Sequence, residues 1–303
     1  MNFVLKTEDL TKRYGGKTAL DHWTMEIARG EIYGLIGRNG AGKTTLLKTI
    51  LGMCHPDEGN IWYFDGESPE VARHHIGSLI EAPGLYRSCT ARENMRRFAI
   101  LFGGDEAEID ELLALVGLSR AGQKKVAQFS LGMKQRLGIA VAMLGHPDIL
   151  LLDEPVNGLD PEGIRDIRDL ILRLNRERGV TFLISSHLLD ELSRVATRYG
   201  IIARGRMVEE VTAGDLEARC RSALKITVDD PEKALALLAD AYPDMPHEVE
   251  GNALLLPPDT DANAVNALLC AGGVQISELV VRHDRVEDYF LARLGRDIQA
   301  ARR

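Results

Sequence analysis

No stretch of this 303-residue chain reaches the ~18 consecutive apolar residues that a membrane-spanning helix needs. The start, Met1-Asn2-Phe3-Val4-Leu5-Lys6, has too short an apolar run for a secretory signal. The chain is therefore expected in the cytoplasm, and if it helps to move anything across a membrane, another chain must supply the path. An excess of basic charge is also lacking. Lys and Arg number 37 against 45 Asp and Glu, a formal net charge of −8, so nucleic acid is not an expected partner. Cysteine is scarce. Cys54, Cys89, Cys220 and Cys270 form no CxxC pair, which argues against a zinc site or disulfide framework and for reduced thiols. There is no low-complexity tract, no short-period repeat and no heptad run of useful length.

What is present suits a globular protein: 45% hydrophobic and 27% charged residues, in a length that fits two domains. Short apolar runs recur at Ile32–Ile36, Ile149–Leu152, Thr181–Ile184 and Tyr199–Ala203. Runs of this kind read as strands buried on both faces, the habit of a parallel sheet covered by helices. Helical patterns lie between them, as from Ile164 to Arg176. The alternation predicts an α/β core. The segment Phe3–Ile27 alternates apolar and polar residues around Gly15-Gly16 and reads as a smaller antiparallel sheet. Residues 85–145 read as a helical insertion.

Composition shifts near Gly214, and we divide the chain into domains 1–214 and 215–303. The second reads as strand Lys225–Val228, a helix from Asp230-Pro231 to Tyr242, and strands near Glu248 and over Ala253–Leu256. A helix opened by Asp261, a strand Gln275–Val281 and a last helix Val286–Leu294 follow. Asp as cap with Pro in the first turn marks the first helix start. The order βαββαβ predicts a small ferredoxin-like α+β domain, and no chemical motif lies in it.

The chemistry lies earlier. Gly37-Arg38-Asn39-Gly40-Ala41-Gly42-Lys43-Thr44 fits G-x-x-x-x-G-K-[ST], between a strand and a helix that begins near Thr45. Gly37, Gly40 and Gly42 let backbone N–H groups, Asn39's among them, close around phosphate oxygens. The helix N-terminus adds positive potential there. Lys43 is expected at the β- and γ-phosphates, and the Thr44 hydroxyl on Mg²⁺. Asp153-Glu154 ends a second apolar strand, at the sheet edge where open α/β folds bind ligands. Read alone, that pair is a polar loop start. Beside the Lys43 loop, Asp153 suits a metal and Glu154 a base that activates water. His187, in Ile184-Ser185-Ser186-His187, follows a third buried strand and is a candidate to support the chemistry. Phe129-Ser130-Leu131-Gly132-Met133-Lys134-Gln135 opens a helix with Ser130 as N-cap, and that helix start is an anion site by its geometry.

Taken in order, Gly37–Thr44, Ser130–Gln135, Asp153-Glu154, Asn157-Gly158-Leu159-Asp160 and His187 resemble an ABC transporter ATPase over about residues 1–215. The resemblance implies a P-loop core with an antiparallel β subdomain and a helical subdomain, ATP and Mg²⁺ as cofactors, and ATP hydrolysis. It also implies two partners: a second copy, which sandwiches ATP, and a transmembrane permease. Carried over, Ser130 and Gly132 contact the γ-phosphate bound to the second copy, Asp160 belongs to the loop linking the two sites, and Tyr14 stacks on adenine. Thr45 joins the phosphate ligands. Two departures stand out. Leu131 replaces a glycine of the usual Leu-Ser-Gly-Gly-Gln, and Glu81, in Ile80-Glu81-Ala82-Pro83, stands where a glutamine is usual, facing nucleotide and metal. Both are similar to the bacitracin-resistance and lantibiotic-immunity subgroup. The rival readings are an ABC ATPase acting on DNA or ribosomes and a small-molecule kinase. The single cassette without coiled coil or zinc cysteines speaks against the first, and the Ser130 helix against the second.

Overall fold

In the computed structural model, which describes residues 3–220, 222–283, 289, 290 and 293, the alternating start forms β1 (Phe3–Tyr14) and β2 (Lys17–Ala28). They pair antiparallel across the Gly15-Gly16 turn. Gly15 takes φ +55° there, a left-handed value open to a residue without Cβ. Trp23, Met25 and Ile27 fall on alternate positions and are buried. β3 (Ile32–Ile36) is buried along its whole length and leads through the phosphate loop into α1 (Lys43–Ile50). β4 (Glu58–Tyr63) returns to flank β1, giving a three-stranded sheet ordered β2-β1-β4. α2 (Pro69–Ala72) and β5 (Ile76–Leu79) follow.

The helical region holds α3 (Ala91–Phe102), α4 (Glu106–Leu115) and α5 (Leu131–Ala142). α3 starts at a capping box. Glu93 N–H donates to the Thr90 hydroxyl at 3.2 Å, and Thr90 N–H donates to the Glu93 carboxylate at 2.7 Å. Gly103, at φ +81°, ends the helix. Then come β6 (Ile149–Asp153), α6 (Pro161–Arg178), β7 (Thr181–Ser186), α7 (Leu189–Leu192), β8 (Arg198–Ala203) and β9 (Arg206–Thr212). Together with β3 and β5 these strands make a six-stranded sheet, β5-β6-β7-β3-β8-β9. Every pair is parallel except β8–β9. The carboxyl ends of β6, β7 and β3 therefore lie side by side.

The expected strands of this sheet are present, but β4, β5 and β9 carry no apolar run that would announce them. All three are at sheet edges, and most of their residues are half-buried or exposed, so nothing demands a continuous apolar stretch. One core joins the two sheets. Leu46, Leu47 and Ile50 of α1 sit among Leu20 and Trp23 of β2, Leu35 of β3 and Leu151 of β6. Each such side chain contributes about 1.5–3 kcal/mol by leaving water, so the helix that presents Lys43 and Thr44 is anchored by its apolar face.

By its internal contacts the chain divides between Gly214 and Asp215, within α8 (Ala213–Arg219), and the second unit ends at Leu291 rather than at the expected 303. The second unit holds β10 (Ser222–Val228), α9 (Pro231–Ala241), β11 (Glu248–Glu250), β12 (Ala253–Leu256), α10 (Ala262–Ala271) and β13 (Ile276–His283). Its sheet is antiparallel throughout and ordered β11-β12-β10-β13, the ferredoxin-like arrangement of a βαββαβ chain. Asp230 and Asp261 cap α9 and α10, accepting from the Lys233, Asn263 and Ala264 N–H groups. Leu224, Ile226 and Val228 meet Leu238, Val265 and Leu269 in its core. The last expected helix, Val286–Leu294, falls largely outside the described residues; Tyr289, Phe290 and Arg293 within it are helical. Among the described residues, no helix is long and apolar enough to cross a membrane.

Candidate functional site

The loop after β3 is shaped by its glycines. Gly40 has φ +78° and Gly42 φ +118°. A Cβ on Gly42 would lie 2.5 Å from the Ala19 carbonyl, and one on Gly37 would lie 2.5 Å from the Ile202 carbonyl. Only residues without a side chain fit at those two positions. The path turns the first residues of α1 toward a cleft lined by Tyr14, Asn39, Gly40, Gly42, Lys43, Thr44, Thr45 and Glu154. Lys17, Ala19 and Arg38 line it as well. Lys17 and Arg38 were not singled out in the sequence. Arg38 occupies a free position of the motif, so its only signal there was its charge.

Lys43 is 5% exposed. Its Nζ donates to the Gly37 carbonyl at 2.7 Å and lies 3.0 Å from Glu154 Oε1, an ion pair without hydrogen-bond geometry. Thr44 Oγ1 donates to Asp153 Oδ2 at 2.7 Å. On the other side, Glu154 Oε2 contacts His187 Nδ1 at 2.7 Å and accepts from the His187 backbone N–H at 3.3 Å. Lys43, Glu154 and His187 thus form one chain of polar contacts across the ends of β3, β6 and β7. Glu154 itself stands at φ +51°, a left-handed conformation that costs a non-glycine residue about 1–3 kcal/mol. The turn swings its side chain away from that of Asp153, so two consecutive carboxylates face different neighbours.

The cleft wall at Tyr14 is half-exposed. Lys12 Nζ sits 5.4 Å from the Tyr14 ring centre. A hydrogen bond to Cys54, with some desolvation, raises the Tyr14 hydroxyl above its ordinary pKa. Glu81, expected beside Thr44 and Asp153, instead turns its carboxylate to Lys48 of α1, accepting at 2.7 Å. That bond raises the Lys48 pKa. Lys48 is a third residue passed over in the sequence, since a lysine on a half-exposed helix face carries no signal of its own.

Ser130, Gly132 and Asp160 do not line this cleft. Ser130 caps α5, its hydroxyl accepting from Met133 N–H at 3.2 Å, and Asp160 caps α6 by accepting from Gly163 N–H at 3.0 Å. Leu131, in place of the usual glycine, is 49% exposed, and one of its methyls lies close to Gly158. A Cβ placed on Gly132 would meet Gly163 and Leu159 at 3.9 Å, an ordinary contact. Both helix starts thus lie apart from the cleft of the phosphate loop of their own chain.

A family model described as ABC transporter matches residues 20–157. The chain is 40% identical to the bacitracin transport ATP-binding protein of Bacillus licheniformis, over 97% of its own length and 98% of that protein's. It is 42% identical to the lantibiotic transport ATP-binding protein of Streptococcus pyogenes, over 68% and 90% of the two chains. Among solved structures it is similar to a dimeric bacterial ABC transporter cassette, with a TM-score of 0.61 and 27% identity over 69% of this chain and 98% of that one.

Proposed function

The chain belongs to the ATP-hydrolysing, ATP-binding subunits of ABC transporters, and from that premise we propose that two copies clasp two Mg²⁺-ATP between them and drive a separate permease that exports bacitracin-like or lantibiotic-like peptides. The observation that carries the reading is the Lys43–Glu154–His187 chain at the ends of three adjacent parallel strands. Lys43 and Glu154 stand as opposite charges 3.0 Å apart. The triphosphate offers Lys43 stronger partners in its β- and γ-oxygens, and Glu154 Oε1 is released to take a proton from the attacking water. His187 keeps Oε2, so the carboxylate stays aimed. Thr44 and Asp153 would hold Mg²⁺: both present hard oxygen donors, close together, as that ion requires. When bound, the ion neutralises charge on the β- and γ-oxygens. Backbone N–H groups of the phosphate loop and the start of α1 cradle the remaining oxygens.

Ser130 and Gly132 serve the γ-phosphate held by the second copy, which accounts for their distance from their own chain's cleft. The similarity to a solved cassette described as dimeric supports the pairing of two copies. The permease is expected at the helical region, where a groove is lined by Pro83, Leu85, Phe98 and Val141 and where α3 leaves Ile100 and Leu101 exposed. The chain would then sit on the cytoplasmic face of the membrane. The similarity to a bacitracin transport and a lantibiotic transport ATP-binding protein supports peptides of that class as the substrate.

Glu154→Gln tests the reading. Losing the base should slow hydrolysis by about 10²–10⁴, while ATP still binds. Unhydrolysed ATP should then hold a dimer, seen as a Mg-ATP-dependent shift in size-exclusion chromatography. Cells carrying the chain with its permease should resist bacitracin or a lantibiotic, and this variant should abolish the resistance. A wild-type hydrolysis rate would remove Glu154 as the base.

A further inference from the structure

Asp153 and Glu154 are neighbours in the chain with different work to do, and something must keep their carboxylates apart. The left-handed turn at Glu154 does so, but a glutamate rests at φ +51° only where its surroundings over-determine it. The surroundings are the end of β7. Asp153 and Ser185 are directly paired in the β6–β7 register. Glu154 N–H is shared between the Ser185 carbonyl and the Ser185 hydroxyl, at 3.1 Å each. The same hydroxyl donates to Asp153 Oδ1. An amide can only donate, so the direction of the hydroxyl proton is settled: it points at the carboxylate. The other Asp153 oxygen accepts from Thr44. Each oxygen of Asp153 therefore has one donor, and the plane of its carboxylate is fixed. Two residues on, His187 grips the Glu154 side chain. Ser186, between them, takes no part; its hydroxyl exchanges hydrogen bonds with the Leu188 backbone.

We infer that Ser185 is a positioning residue for hydrolysis, its single hydroxyl holding the Asp153 carboxylate and the Glu154 backbone as one unit. The inference rests on the reading of Glu154 as the base. Ser185 is fully buried, so bulk water cannot replace the hydroxyl once it is removed. The strand does not depend on it. In Ser185→Ala the Glu154 N–H keeps the Ser185 carbonyl, and the β6–β7 ladder is untouched. What is lost is the orientation of Asp153 and one of two bonds holding the strained turn.

Outer groups of this kind typically cost about ten- to a hundredfold when removed. Steady-state ATP hydrolysis by the full-length chain is the measurement, on Ser185→Ala, Ser185→Thr, Glu154→Gln and the Ser185→Ala/Glu154→Gln double variant. Ser185→Ala should lower kcat at least about tenfold at saturating Mg-ATP, and, by leaving one Asp153 oxygen without its donor, should lower the melting temperature modestly. Ser185→Thr keeps the hydroxyl and should recover most of kcat. On the Glu154→Gln background, Ser185→Ala should cost less than about threefold more, because residues that act as a unit are not additive. A merely structural serine would instead lower the melting temperature without lowering kcat, or would cost the same factor on both backgrounds. A Ser185→Ala variant with wild-type kcat, or a folded Ser185→Thr as slow as Ser185→Ala, overturns the inference while an inactive Glu154→Gln leaves the base assignment standing. An active Glu154→Gln overturns the base assignment itself.

Discussion

The two units of this chain solve the burial problem differently. Among the described residues, every buried polar or charged side chain lies in the first unit, from Thr7 through Lys43, Glu108 and Asp153 to Ser186. So does every non-glycine residue with positive φ, Glu81, His146 and Glu154 among them. The second unit buries apolar side chains between one sheet and two helices, and its caps are exposed aspartates doing local work. Burying polar groups and holding strained turns both cost stability. A fold that accepts such costs in one half and avoids them in the other has put its chemistry in the first half.

Lys43→Ala should break the comparison most visibly. Charge-assisted hydrogen bonds contribute about 1.5–3 kcal/mol each, so ATP affinity should fall ten- to a hundredfold. The loss of an electrostatic donor should lower kcat by a further ~10²–10³. Nucleotide titration and phosphate release measure the two effects. The fold should survive, because Lys43 is held by a carbonyl and Glu154 rather than by the core. Ile226→Ala is the counterpart. It empties a fully buried position in the middle of the second core and should destabilise that unit by about 2–5 kcal/mol in denaturant unfolding. ATP affinity should not change; a tenfold loss would show that the second unit shapes the nucleotide site.

Glu81→Gln should have the smallest effect. Both partners of the Glu81–Lys48 pair are substantially exposed, and such pairs are worth about 0–1 kcal/mol. Hydrolysis measured with the permease should therefore stay within about fivefold of wild type. A hundredfold loss would move Glu81 from the edge of the site to its centre.

The motifs were legible because phosphate chemistry demands particular residues at fixed spacing. Gly42 must lack a side chain beside the Ala19 carbonyl, and Lys43 must follow it at the head of a helix. The buried strands were legible because parallel strands covered on both faces need unbroken apolar runs. β5 and β9 were not, since an edge strand needs no such run. Ser185 lay in plain view beside His187, yet a serine in a strand has no signature, and its importance comes from the hydroxyl's two partners on the neighbouring strand.

Local demands on residue type thus wrote the family, the phosphate loop and the caps into the sequence itself. The strand order, the left-handed set of Glu154 and the turning of Glu81 to Lys48 were decided by the tertiary structure. Each depends on residues far apart in sequence meeting in space, and no local pattern of residue types encodes such a meeting.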